Sequence, residues 1–203
     1  MAYTAKEYTY LLGMPGFSDR TLQNHLTLYQ GYVNNTNKLL ETFARLEKEG
    51  RTDSPEYTEC KRHYGWEFDG MRLHELYFSN LKGSGDAGGA PELRRLLEQQ
   101  WGSYEAWERD FKATGMTRGI GWAILYQDSM NGRLFNVWIN EHDVGHLAGC
   151  MPILVMDAWE HAYMIDYDTK RAEHISRAFF PNIHWPEVEK RVNLELARQA
   201  QPA

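Results

Sequence analysis

Residues 83–91, Gly-Ser-Gly-Asp-Ala-Gly-Gly-Ala-Pro, split this chain into two halves whose apolar residues recur with different periods. A helix cannot continue through such a stretch, so it reads as a flexible connector and a boundary. On its N-terminal side the spacing is helical. Ser18-Asp19 offers an N-cap, and Leu22, His25, Tyr29, Tyr32, Val33, Leu39, Leu40 and Phe43 then recur at helical intervals as far as Leu46. This predicts one long helix ending before Gly50, after an extended or turning lead-in over 1–16. A second helix is predicted from Ser54 to Leu81, broken near Gly65 or Gly70, with Phe68, Met71, His74 and Phe78 on one face.

Beyond the connector the pattern is mixed. Residues 91–101 and 103–114 look helical, whereas 122–126 and 134–139 read as strands around the turn-forming 128–132. The apolar run 152–156 is a third strand, and helices return from Trp159 to Phe180 and again after Pro186. The expected fold class is α+β. A long α-helical hairpin domain over 1–84 precedes an α/β domain over 90–203 with a small three-stranded antiparallel sheet.

A net charge of −6 leaves no basic surplus to displace counterions, which argues against a nucleic-acid partner. No apolar run reaches membrane-spanning length, so no membrane partner is expected. The N-terminus shows no basic segment followed by an apolar stretch, and a cytoplasmic location is the expectation. Cys60 and Cys150 are too few for a disulfide framework or zinc finger; each is expected to be a buried, reduced thiol.

The apolar strand 152–156 ends on Asp157, and His161 follows four residues later. A carboxylate at the mouth of a buried strand is costly unless a cation receives it. Among the eight histidines, His25 and His74 each lie on the apolar face of a predicted helix. With Asp157 and His161 they form a mixed nitrogen and oxygen set suited to iron or manganese. His63, His174 and His184 read as ordinary surface or satisfied core residues. His142-Asp143-Val144-Gly145-His146 is similar to the H-E-x-x-H helix of zinc proteases, with His142 and His146 as ligands and Asp143 as base. Asp is one methylene shorter than Glu, Gly145 weakens a helix, and no third ligand is evident.

Five segments occur in a recognisable order: Tyr32-Val33-Asn34-Asn35 with Lys38, Gly70–Phe78, Gly119–Leu125, Asp157–Tyr163 and Phe179–Trp185. Together they resemble the iron/manganese superoxide dismutases over most of the chain, from Leu12 to Val192. The resemblance implies an oxidoreductase that disproportionates superoxide to dioxygen and hydrogen peroxide, with one Fe or Mn ion per subunit. It implies His25, His74, Asp157 and His161 as metal ligands, Tyr32 as the gateway tyrosine, and His142 as an outer-sphere group that tunes the metal. Trp122 and Trp159 would wall the cavity, and Arg171 would attract the anion at the funnel. Glu160 would be an interface carboxylate bonded to the ligand His of the opposite subunit, making the protein a homodimer.

Three departures accompany the resemblance. His25 and Tyr32 are one residue closer than is usual in the family, though two turns of helix still put both on one face. A second His usual on this helix is replaced near Leu28 and Tyr29, and the signature's final aromatic is Met164. In the family those two groups bond each other across the dimer interface, so their joint loss is coherent. The departures also support an alternative: a metal-binding homologue with weak or lost dismutase activity.

Overall fold

Ser18 and Ser54 start the two long helices. Ser18 Oγ accepts the Thr21 N–H at 3.1 Å, and Ser54 Oγ accepts that of Tyr57 at 3.2 Å. The computed structural model, which describes residues 2–199, shows these helices as α1 (Asp19–Lys48) and α2 (Pro55–Ser79). They are antiparallel: Phe43 near the end of α1 packs on Tyr57 near the start of α2, and His25 near the start of α1 meets His74 near the end of α2. The expected break in α2 is absent, and the helix runs through Gly65 and Gly70. An interior glycine costs only about 1 kcal/mol, which the packing of a helix this long outweighs.

Helices α3 (Pro91–Trp101) and α4 (Tyr104–Gly115) lead into β1 (Gly121–Asp128), β2 (Leu134–Asn140) and β3 (Cys150–Asp157). The sheet is antiparallel with order β2-β1-β3, so β1 is central and buried along nearly its whole length. Its register sets Trp122 opposite Ile139 on one side and Asp157 on the other. At Tyr126 the β3 register slips, where Pro152, which has no N–H to donate, sits in the edge strand. One apolar core joins Leu22, Val33, Tyr77 and Phe78 of the hairpin to Trp107, Trp122, Val155 and Trp185. The chain is α+β, with a helical N-terminal region and a small antiparallel sheet after it.

Other expectations need adjusting. The glycines of 83–91 serve close approach rather than freedom: Gly83 N–H donates to Asn182 O at 2.9 Å, Gly85 N–H to Ile183 O at 3.2 Å, and a Cβ on Gly83 would lie 2.2 Å from Ile183 O. The helices expected over Trp159–Phe180 are present as short pieces at Glu160–Ala162, Met164–Tyr167, Arg171–His174 and a π-helical turn at Ile175–Phe179. Asp168 at φ 51° ends the second piece in the left-handed region. Cys60 and Cys150 are unpaired, as expected, but only half-buried. The helix after Pro186 begins one residue earlier, at Trp185, and residues 200–203 of the expected C-terminal domain lie outside the described residues.

Candidate metal centre

Asp157 closes β3 at full burial, and its backbone is held by pairing with Trp122 of β1. The Trp159 N–H donates to its Oδ1 at 2.8 Å, which leaves Oδ2 facing the hairpin. There Oδ2 lies 3.0 Å from His25 Nε2, 3.1 Å from His161 Nε2 and 3.8 Å from His74 Nε2. Four elements thus converge: α1, α2, the end of β3 and the turn Glu160–Ala162. One donor atom from each of the four residues falls within 4.8 Å of every other.

The electrostatics follow from burial. Burial alone raises a carboxyl pKa, but the hydrogen-bonded imidazoles of His161 and His25 beside it outweigh burial and hold Asp157 well below the usual range. Burial pulls His25 down, and His74 well down, so both imidazoles are neutral at pH 7. His74 Nδ1 lies 2.5 Å from Gly70 O one turn back on α2. A carbonyl only accepts, so Nδ1 carries the proton and Nε2 presents a bare lone pair. That Nε2 is buried and has no hydrogen-bond partner among the described residues. Such an orphan is costly unless something receives the lone pair. Three imidazole nitrogens and one carboxylate oxygen suit a first-row transition ion, and a ligand His fixed through its other nitrogen is the usual support.

Beside this cluster lies a second hydrogen-bonded group. Tyr32 stacks on His74 with ring centroids 5.2 Å apart, and its hydroxyl lies 2.7 Å from His142 Nε2. The Trp122 indole N–H donates to His142 Nδ1 at 3.1 Å. An indole only donates, so Nδ1 is bare and His142 donates to Tyr32 through Nε2–H. Burial lowers His142 to about 4, which keeps it neutral at pH 7. Trp159 stacks on the His142 ring at 4.7 Å, and Trp66 meets it edge-on at 4.9 Å.

Residues 89–191 match the sequence profile described as iron/manganese superoxide dismutases, C-terminal domain. The chain is 38% identical over 183 residues to superoxide dismutase (Mn) 2 of Haloferax volcanii, covering 89% of each protein. It is 36% identical over 184 residues to superoxide dismutase (Fe) of Aquifex pyrophilus, covering 88% of this chain and 85% of the relative. With superoxide dismutase (Fe) of Saccharolobus solfataricus the identity is 33% over 174 residues, covering 84% and 82%.

The chain belongs to the iron/manganese superoxide dismutase family. It is therefore an oxidoreductase acting on superoxide, as the resemblance of its motifs implied. Around the cluster, the residues singled out in the sequence take the following places. Arg171 is engaged by backbone: its guanidinium donates to the carbonyls of Gly115, Thr117 and Gly119 at 3.2, 2.9 and 2.8 Å. Helix α1 is α-helical throughout, so the shorter His25–Tyr32 spacing needs no bulge. Tyr29 turns inward and donates to the buried Glu75 at 3.0 Å, while Leu28 and Met164 are exposed. Glu160 is exposed and makes no ion pair among the described residues.

The zinc-protease reading fails on geometry. Residues 141–146 form turns rather than a helix, and His146 Nε2 lies 2.7 Å from His142 O instead of sharing an ion with its ring. His174 is not a satisfied core residue: it is fully buried with neither ring nitrogen partnered among the described residues. Two contributors escaped the sequence reading. Trp66 carried no signal, because its contact with His142 is tertiary. Gly70 was findable, since it stands four residues before His74, where a helical carbonyl meets an imidazole Nδ1.

Proposed function

We propose that this chain disproportionates superoxide at one iron or manganese ion held by His25, His74, Asp157 and His161. The observation that carries the reading is His74 Nε2, a buried bare lone pair facing three other donors. When bound, the ion supplies one-electron redox chemistry between its +3 and +2 states. The residues supply charge balance, orientation and protons. Asp157 brings one negative charge into a buried site, and Gly70 O locks the His74 ring through Nδ1–H. Peroxide takes up two protons, so a donor has to stand beside the site. Because His142 donates to Tyr32 Oη, the tyrosine's own proton is left for another acceptor; we assign it as one of the two protons the reduced substrate takes up, with solvent supplying the second and reprotonating Tyr32. Trp66, Trp122 and Trp159 pack against the His142 and His74 rings beside it. Arg171 adds positive charge near the mouth while bracing 115–119.

Metal analysis of the purified protein, with superoxide assays after reconstitution by each ion, tests this. Full Fe or Mn occupancy with activity at background sinks it. Relatives named for either metal match at comparable identity, so both ions belong in the experiment.

Three further proposals accompany this reading. The hairpin over 1–84 and the α/β part over 90–203 act as two units that jointly supply the four ligands. The protein is a homodimer with Glu160 at the interface, supported by its exposed carboxylate next to His161, which has no ion-pair partner among the described residues, and by the exposed apolar Leu28, Met164 and Ile165. Light scattering on Glu160→Ala tests that: a variant that stays dimeric with full metal content removes Glu160 from the contact. A cytoplasmic location is supported by two unpaired cysteines, which fit a reducing compartment. Cell fractionation decides it.

A further inference from the structure

The loop between β2 and β3 carries His142 yet has little structure of its own. Glu141 sits at φ 53°, Gly145 at φ 108° and Gly149 at φ 76°, and its internal backbone bonds are few: Asn140 with Val144, and Cys150 N–H to Leu147 O. Such a loop does not by itself hold an imidazole in one orientation. Two side chains of β1 supply what it lacks. Trp122 and Tyr126 are four residues apart in a strand, so both project from the same face. Trp122 donates to the His142 ring at Nδ1. Tyr126 reaches the same residue's backbone through an intermediary: its hydroxyl lies 2.5 Å from His146 Nδ1, and His146 Nε2 lies 2.7 Å from His142 O.

The donors and acceptors of this chain close without conflict. The His142 carbonyl only accepts, so His146 carries its proton on Nε2, and Nδ1 is then the acceptor for the Tyr126 hydroxyl. Tyr126 is buried, and His146 is the one side chain hydrogen-bonded to its hydroxyl among the described residues. Asp69, whose carboxylate lies 3.7 Å from His146 Nε2, stands on α2 immediately before Gly70. The tie therefore joins the loop to the sheet and sits against the helix that carries His74.

We infer that His146 is a positioning residue for dismutation: with Tyr126 it fixes the backbone of His142, while Trp122 fixes its ring, so that Nε2–H stays aimed at Tyr32. This rests on the reading of His142 as the group beside the metal. His146 touches neither substrate nor metal, and it acts through His142.

The test uses the metal-loaded full chain and reads three quantities: turnover, the reduction potential of the bound ion, and amide hydrogen exchange over 141–149. His146→Leu removes both links and should lower turnover by about 10-fold, the scale of losing an outer-shell partner. It should also shift the potential in the same direction as His142→Ala, by less, and speed exchange in the loop. His146→Gln retains an N–H donor and a carbonyl acceptor and should recover most of the loss, which a purely space-filling role would not predict. Wild-type potential and exchange in His146→Leu overturn the inference. Should His146→Leu fail to fold, Tyr126→Phe removes only a hydroxyl; it should show the same shifts at smaller size, and wild-type values there overturn the inference too. His142→Ala separates the two readings. If it leaves turnover and potential unchanged, the role of His142 is wrong, while exchange in His146→Leu still decides whether His146 holds the loop.

Discussion

His74 and His174 are both completely buried, and both have ring nitrogens without hydrogen-bond partners among the described residues, yet they sit in opposite kinds of place. His74 has one nitrogen tied to Gly70 O and the other aimed at His25, His161 and Asp157. His174 is enclosed by the rings of Phe17, Tyr163 and Tyr167 at 5.4, 5.9 and 5.5 Å. Burial lowers both imidazoles, His74 well below the usual value and His174 to about 4. An unpartnered buried imidazole is therefore not a metal signal by itself. What marks the first site is convergence: four elements deliver four donors, and the one unused lone pair points at the others.

The largest effect should come from removing a donor. In His161→Ala, metal affinity should fall by more than roughly 100-fold, since even an outer-shell partner is worth 10–100-fold. His174→Phe should keep its metal. Metal content after dialysis against a chelator reads both, and tight binding by His161→Ala would undo the contrast between the two histidines.

Packing beside the cluster comes next. A Cβ on Gly70 would lie 2.6 Å from the Tyr32 ring, so Gly70→Ala should lower unfolding free energy by about 2 kcal/mol as an overpacked contact. Gly31 has nothing within 4 Å of its would-be Cβ, and Gly31→Ala should stabilise α1 by up to about 1 kcal/mol. Denaturant melts of the two variants should move in opposite directions. Equal shifts would mean that Tyr32 does not depend on the bare α-carbon of Gly70.

The His174 pocket has its own signature in pH. Its folded pKa is lowered, so the unfolded chain binds the proton first. Stability attributable to this residue is thus full above about 6.5 and is lost as pH falls toward 4. Asp157 and Asp166 favour its charged form, while His25 and Arg171 oppose it, and burial outweighs them all. Relative to its own stability at pH 7.5, the wild type should lose about 2 kcal/mol more at pH 5 than His174→Phe does. Taking the difference between metal-loaded proteins cancels acid effects on the ligand cluster. Parallel pH curves for the two would show that His174 is solvated despite its burial.

The fold was largely legible because its signals are periodic. Two helical runs and three short apolar strands, the last ending on Asp157, all survive in the structure with shifts of a residue or two. The four residues that converge were legible too, since a His on an apolar helix face and a carboxylate closing a buried strand each violate an ordinary pattern. What failed was whatever depends on a partner distant in sequence. Gly83 and Gly85 look like a flexible link until Ile183 and Asn182 lie against them. His146 looked like half of a zinc motif, and only the fold shows its ring bridging Tyr126 to the His142 carbonyl.

The smallest effect expected, and the finest probe of the contrast, is at Tyr32. Phenylalanine keeps the ring that stacks on His74 and presses on Gly70, so metal content should equal wild type, unlike His161→Ala. It deletes the one oxygen that accepts the His142 Nε2–H at 2.7 Å. That buried N–H then lacks a partner, which should lower stability by about 1 kcal/mol. The same oxygen carries the proton assigned to the reduced substrate. Turnover of Tyr32→Phe should therefore fall by roughly 10-fold, as for loss of an outer-shell group, with the deficit greatest where proton supply limits the rate. A solvent-deuterium effect larger in the variant than in the wild type would place the loss in proton transfer. Unchanged turnover with the stability loss intact would leave Tyr32 as a packing residue, and would move the proton donor elsewhere on the wall formed by Trp66, Trp122 and Trp159.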